Sequence, residues 1–176
     1  SGSKFKYNNQ KAITVAKVGE ATTKFHELTI GSKIGIRGPY GHGFNIMKAD
    51  VKRILAVGGG CGCAPLGPLL DSAQRSGKDV LFALGARNKS ELLFKDRAIE
   101  LGIELDISTD DGSEGYHGFV TDRVDKILSE TGFDLVVACG PEIMMKKVVE
   151  LALNNNINVQ VSLERYMKCG VGICDS

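Results

Sequence analysis

The chain has 176 residues, with 22 Lys and Arg against 21 Asp and Glu, so it carries no basic field for a nucleic-acid backbone or an anionic membrane surface. That length suits one good-sized domain, or one domain with part of a second. No apolar run approaches the roughly 18 residues of a bilayer span and no charged-then-apolar leader is visible, so a cytoplasmic chain is the default expectation.

Ser1-Gly2-Ser3, with no initiator Met, reads as an expression scar. From there to about residue 52, "AITVAKV" (12–18) and "KIGIRG" (33–38) alternate or carry β-branched residues, with Gly19, Gly31 and Gly38 between them. This texture predicts antiparallel β-structure, the tail end of a small barrel, since a whole barrel at usual strand spacing needs about 50–70 residues.

From Arg53 onward the texture changes to short, nearly continuous apolar runs alternating with helix-period segments. "RILAV" (53–57), "VLFAL" (80–84), "ELDIS" (104–108), "LVVAC" (135–139) and "NVQVS" (158–162) are the predicted strands. Pro65 and Gly77 bracket a helix over 66–76. Asn88 with Glu91 forms a capping-box signal for the next helix, which Gly102 ends. Helices near 120–129 and 142–154 complete the set. The chain therefore reads as α/β: a five-stranded parallel doubly wound domain over 49–165, preceded by part of an antiparallel barrel over 1–48.

Two turns at the carboxyl ends of strands carry the chemical signal. "AVGGGCGCAPLGPLL" follows the first strand and opens a helix, where a dinucleotide's diphosphate meets backbone N–H groups and a helix dipole. Its spacing departs from G-x-G-x-x-G, and the second strand runs into Gly85, Ala86 and Arg87 rather than an acidic ribose partner. By itself the turn is open to two readings, a nucleotide cradle or a tight strand-to-helix turn. "CGPEIMM" (139–145) is a second Gly-Pro turn entering a helix, on the edge where open α/β sheets collect ligands.

Other constellations carry less. Cys61 and Cys63 have poor spacing for zinc, His26, His42 and His117 are isolated, and no G-x-S-x-G elbow appears. Five cysteines grouped as C-x-C and C-x4-C read as reduced thiols rather than a disulfide framework.

"GGGCGCAPL", "GAR", "TDDGS" and "CGPEIMM", in that order and at those separations, resemble the NAD(P)-binding half of the ferredoxin-NADP reductase superfamily. "GPYGHGF" (38–44) and "SLERYMKCGVGIC" (162–174) are similar to segments of the electron-transfer subunits of NAD-dependent dihydroorotate dehydrogenase. NADH:ferredoxin and sulfhydrogenase flavoproteins are close relatives in that superfamily. The resemblance implies that Gly58, Gly59, Gly60, Gly62, Ala64, Pro65 and Leu66 cradle the dinucleotide diphosphate and that Arg87 faces its adenosine end. It implies that Thr109 and Asp110 lie near the cofactor, and that Cys139, Gly140 and Pro141 lie by the nicotinamide, with Cys139 in a catalytic position.

"GEAT" (19–22) matches the family's G-x-x-S/T turn, which implies that Gly19, Ala21 and Thr22 contact FAD diphosphate while Thr14, Val15 and Ala16 run beside the flavin. Cys169 and Cys174, spaced C-x4-C in the segment 166–176, are implied ligands of a [2Fe-2S] cluster. The family's R-P-x-S segment and its third and fourth cluster cysteines are missing, so the expectation is a chain truncated at both ends. The implied activity is electron transfer between NAD(P)H, FAD and the cluster, to or from an FMN-containing dihydroorotate dehydrogenase catalytic subunit in pyrimidine biosynthesis. An NADH:ferredoxin or sulfhydrogenase-type subunit, and a docking module without complete redox centres, are the alternatives. Arg87 and Lys89 leave NAD against NADP open.

Overall fold

In the computed structural model, which describes residues 12–38, 40–164, Cys169 and Ile173, the apolar runs after residue 52 assemble into one six-stranded sheet. Its strands are Arg53–Gly59 (β1), Asp79–Ala86 (β2), Glu104–Thr109 (β3), Tyr116–His117 (β4), Leu135–Cys139 (β5) and Asn158–Ser162 (β6). The helices are Glu20–His26 (α1), Leu66–Arg75 (α2), Lys95–Glu100 (α3), Val120–Glu130 (α4) and Glu142–Asn154 (α5). The spatial order is β4-β3-β2-β1-β5-β6, and each pairing is parallel.

Alternation along β1 sends Ile54 and Ala56 to one face of the sheet and Leu55 and Val57 to the other. The first face packs on Leu66, Leu69, Leu70 and Ala73 of α2 and Ala98 of α3. The second packs on Val124 and Leu128 of α4 and on Met144, Val148 and Leu151 of α5. Both faces are covered, which is why β1 and β5 are apolar throughout rather than alternating. At the amino-terminal edge of the sheet, the Asp134 carboxylate accepts hydrogen bonds from the Lys52 and Arg53 amides, each at 2.8 Å, and joins the start of β5 to the start of β1. These bonds hold its carboxyl below the usual carboxylate range.

Three sequence expectations change. The sheet has a sixth strand, the two-residue β4, paired with Ser108 and Thr109. The helix signalled by Asn88 is split: the Asn88 carboxamide oxygen accepts from the Ser90 amide and caps only a 3-10 turn over Lys89–Glu91. Phe94 then takes a left-handed conformation (φ 64°) before α3 begins. Leu92, Leu93 and Phe94 are drawn onto the α2 face of the core, and that packing overrides the local capping signal.

The third change is in the N-terminal region. The chain divides into two compact units, Ser1–Ile36 and Arg37–Ser176. Among the described residues no strand precedes Arg53, so the antiparallel strands expected over 12–18 and 33–38 are not formed there. A strand needs a ladder partner for its N–H and C=O groups, and the described residues of this region supply none. Helix α1 forms instead, closed by a local cap: the Thr22 hydroxyl oxygen accepts from the Val18 and Gly19 amides at 3.0 and 2.9 Å. Among the described residues no helix is long and apolar enough to cross a membrane.

Phe82 is fully buried at the middle of β2 against α2. Phe82→Ala is expected to lower unfolding stability by about 3–5 kcal/mol, read as a fall in the denaturation midpoint at constant m-value. A midpoint within error of the parent would show that this face is not the core.

Candidate functional site

The strand order reverses between β1 and β5, with β2, β3 and β4 running off to one side and β6 to the other. The loops leaving β1 and β5 therefore part at their carboxyl ends and open a crevice, the place where ligands bind open α/β sheets. The resemblance-implied dinucleotide residues sit along this rim: Gly58 to Leu66 from the end of β1 onward, Arg87 after β2, Thr109 and Asp110 at the end of β3, and Cys139 to Pro141 at the end of β5.

Two glycines in the first loop do different work. A Cβ on Gly62 would stand 2.4 Å from the Gly140 Cα, so the two loops touch backbone to backbone and no side chain fits between them. Gly60 has φ +54° and open space where a Cβ would be. Its conformation favours glycine, and the space before it is free for a ligand. Gly58 and Gly59 are buried and face Cys63 and Met144, so their smallness serves packing within the protein. Pro65 caps α2 and is exposed, Ala64 is partly buried, and Leu66 is fully buried as the first anchor of the helix. The positive end of the α2 dipole lies at this rim; within the first turn Pro68 carries no N–H and the Gly67 amide donates to the Ala64 carbonyl at 3.3 Å, so the dipole rather than a set of free amides is what the helix offers.

Cys139 ends β5, is 7% exposed, and donates its S–H to the Ser162 carbonyl at 3.4 Å. Burial pushes its thiol up from the usual range, so it stays protonated at neutral pH. Cys63 is fully buried, and burial, with Cys139 and Cys61 nearby, pushes its thiol up to about 12. Cys61 is exposed. The buried Cys63 and Cys139 thiols thus form a packed, neutral floor. Among the described residues no group of three or more His, Cys, Asp or Glu is placed to hold a metal ion.

Beside this floor a cavity of about 540 Å³ is lined by His42, Gly43, Phe44, Pro65 and residues 160–163. Its wall is fixed by a reciprocal amide pair: the Asn45 N–H donates to Gln160 Oε1 at 2.9 Å, and Gln160 Nε2 donates to the Asn45 carbonyl at 3.1 Å. Sequence reasoning missed Asn45, Gln160 and Ser162. The alternation of polar Asn158, Gln160 and Ser162 with Val159 and Val161 in "NVQVS" was the signal available. A second cavity, about 390 Å³, lies among residues 128–133, Asn155, Asn156 and Ile157 at the amino-terminal edge, away from these groups.

The adenosine-side residues divide by burial. Arg87 and Asp110 are exposed, whereas Thr109 is fully buried. Thr109 Oγ1 donates to the Glu114 carbonyl at 2.8 Å and accepts from the Glu114 N–H at 3.0 Å. Its hydroxyl shapes the turn and presents no free face to a ligand.

In the smaller unit, the Thr22 hydroxyl donates to the Gly19 carbonyl at 2.9 Å, and Ala21 lies in the first turn of α1. Thr14 and Ala16 are exposed and Val15 partly so, with the Val15 carbonyl 2.9 Å from His26 Nε2. Of the two cluster cysteines, Cys174 lies outside the described residues. Cys169 is partly buried, and its carbonyl accepts from the Arg37 guanidinium at 3.0 Å.

Residues 56–150 match the family model described as the oxidoreductase NAD-binding domain. The chain is 51% identical over 170 residues to a probable dihydroorotate dehydrogenase B (NAD(+)), electron transfer subunit, from Methanocaldococcus jannaschii. That alignment takes in 97% of this chain and 65% of the relative. Identity to the dihydroorotate dehydrogenase B electron transfer subunit of Clostridium perfringens is 39% over 166 residues, 94% of this chain and 65% of the relative. The chain thus spans under two thirds of the length of these curated relatives. Among solved structures, an NADH-dependent reduced ferredoxin-NADP oxidoreductase, described for flavin-based electron bifurcation, superposes with a TM-score of 0.80 at 35% identity. That likeness covers 91% of this chain and 57% of the other.

A buried thiol whose pKa rises on folding keeps its proton in the native state after the unfolded chain has lost its own. Stability should therefore fall as pH rises above the ordinary thiol value near 9 and toward 12, by up to about 1.4 kcal/mol per pH unit for one group. Cys63→Ala should flatten that alkaline slope in urea titrations at pH 8 to 11. An unchanged slope would remove Cys63 as its source.

Proposed function

The chain belongs to the oxidoreductase NAD-binding domain family and is a relative of dihydroorotate dehydrogenase B electron-transfer subunits, and on that premise we propose that it binds NAD(H) in the β1–β5 crevice as part of an electron-transfer flavoprotein subunit. The carrying observation is the backbone contact of Gly62 with Gly140 beside the open, positive-φ Gly60. The open space at Gly60 lies beside the α2 amino terminus, whose positive dipole end favours an anion such as a diphosphate.

In this reading the Gly60 to Gly62 backbone and the first turn of α2 hold the diphosphate, and Arg87 faces the adenosine ribose. The cavity beside Ser162 receives the ring end of the dinucleotide. Gly140 and Pro141, which follow β5, are assigned to the same ring, and the neutral Cys139 thiol, tethered to the carbonyl of the cavity residue Ser162, adds no charge there. Asp110, exposed on the turn after β3, is assigned to the same ligand. When bound, NADH and FAD supply hydride transfer and its division into single electrons; the chain supplies position, exclusion of water and electrostatics.

Thr14, Val15, Ala16, Gly19, Ala21 and Thr22 are assigned to FAD. Ala21 and Thr22 lie in the first turn of α1, whose amides suit a diphosphate, and Thr14 to Ala16 and Gly19 precede it. The FAD-binding part is placed in 1–48, the dinucleotide part in 49–165 and the cluster segment in 166–176. Cys169 and Cys174 are half of the four thiolates a [2Fe-2S] cluster takes, so no step is derived through it. The partner in this proposal is an FMN-containing dihydroorotate dehydrogenase catalytic subunit. A ferredoxin-linked partner is the second reading, favoured by the 35% identity to the ferredoxin-NADP oxidoreductase structure.

The test is titration of the purified chain with NADH, followed by binding fluorescence and flavin absorbance. Binding with bleaching of a bound yellow flavin is the expected result, and a chain that binds no NADH sinks the proposal. Gly60→Val should weaken NADH by about tenfold or more, equivalent to 1.4 kcal/mol, because it places a branched side chain in the diphosphate space. Unchanged affinity would move the diphosphate elsewhere. Thr22→Ala should lower the flavin retained through purification; equal flavin content in both proteins would remove Thr22 from that site.

A further inference from the structure

The loop after β2 is where a dinucleotide's adenosine ribose lies in sheets of this order, and a cation there accommodates a 2′-phosphate when one is present. This inference rests on the crevice being the dinucleotide site. Three cations stand in or beside that loop: Arg87, Lys89 and Lys95. On composition alone the loop would suit NADP.

The neighbouring turn changes that balance. The Lys89 amide donates to Ser113 Oγ at 2.8 Å and the Asp111 amide donates to the Arg87 carbonyl at 3.2 Å, so the turns after β2 and β3 form one wall. In that wall the Glu114 carboxylate takes both lysines. Its Oε1 is hydrogen-bonded to the Lys95 ammonium, and the Lys89 ammonium stands 3.6 Å from its Oε2. The Glu114 side chain is 21% exposed, and Oε2 is buried with no hydrogen-bond partner. Lys89 is thus its nearest compensating charge on that side. A phosphate recruiting Lys89, whose own side chain is 68% exposed, would leave the buried Oε2 without that cation, and an unpaired buried acceptor is costly. Asp110 and Asp111, both exposed on the same turn, add like charge against a second anion.

We propose that Glu114 is the residue that selects against a 2′-phosphate on the coenzyme, by holding Lys89 and Lys95 away from it. Arg87, which the described residues give no ion-pair partner, is left to face the ribose. The chain is then NAD-selective despite a basic loop. The selectivity comes from a carboxylate on the turn after β3 rather than the acidic residue that ends the second strand in the usual fingerprint.

The experiment is calorimetric titration of the chain with NAD⁺ and NADP⁺ at one ionic strength, repeated with 5′-AMP and adenosine 2′,5′-bisphosphate as probes of the adenosine end alone. In Glu114→Gln the ratio of the NADP⁺ to the NAD⁺ dissociation constant should fall about tenfold, equivalent to 1.4 kcal/mol. Adding Lys89→Met to that variant should restore the ratio toward the parent value. An unchanged ratio in a Glu114→Gln protein that melts like the parent overturns the inference and leaves the dinucleotide site standing. Failure of the parent to bind either coenzyme overturns both. Should Glu114→Gln not fold, Lys89→Met alone decides: the parent ratio must persist, because Lys89 is already engaged, and a tenfold loss confined to NADP⁺ overturns the proposal.

Discussion

Where the loop leaving β1 crosses the loop leaving β5, Gly62 and Gly140 meet with no room for a side chain between them. That contact ties the two strands flanking the topological switch together at their carboxyl ends, and the other features of the rim are placed relative to it. It sets Gly60 outward with a positive φ, directs the start of α2 into the crevice and brings Cys63 beneath the turn beside Cys139. A looser crossing would leave the positive end of the α2 dipole without a defined target, and dipole attraction decays within one turn of the helix.

Around this crossing the protein uses apolar burial for the floor and polar contacts for the walls. Cys63 and Cys139 sit in the core layer shared with Phe82, Leu66 and Leu84, where burial keeps both thiols neutral. In the proposed reading a charged thiolate there would oppose an anionic ligand at the same rim, so neutral thiols suit it. The walls are held by directional bonds instead: Asn45 with Gln160 on the β6 side, and Thr109, Ser113 and Glu114 with their neighbours on the β3 side. Each satisfies backbone groups that a loop at a sheet edge would otherwise leave to water.

The two ends of the crevice therefore differ in character. The β6 end is a cavity with an aromatic wall at Phe44 and a neutral thiol beside it, suited to a flat ring. The β2–β3 end is a charged surface on which Lys89, Lys95 and Glu114 offset one another and Arg87 remains exposed. A molecule with a ring at one terminus, a diphosphate in the middle and a ribose at the other matches that sequence of environments.

Much of this was readable from residue order. Continuous apolar runs marked strands buried on both faces, Pro65 and Gly77 bracketed α2, and β5, α5 and β6 begin and end where the pattern placed them. These are local signals, because a doubly covered strand and a helix end each leave their mark within a few residues. Other features depended on contacts between residues distant in the chain. "GGGCGC" showed that glycines were needed, but only the fold separated Gly62, small because Gly140 lies against it, from Gly60, open to a ligand. Asn88 carried a sound capping signal that the pull of Leu92 to Phe94 into the core cut to a single turn, and β4 is too short to leave a pattern. The pairing of Lys89 with Glu114, 25 positions on, turned a basic loop into a balanced one. Charge compensation across two turns is set by the spacing of neighbouring strands, which no stretch of sequence encodes alone.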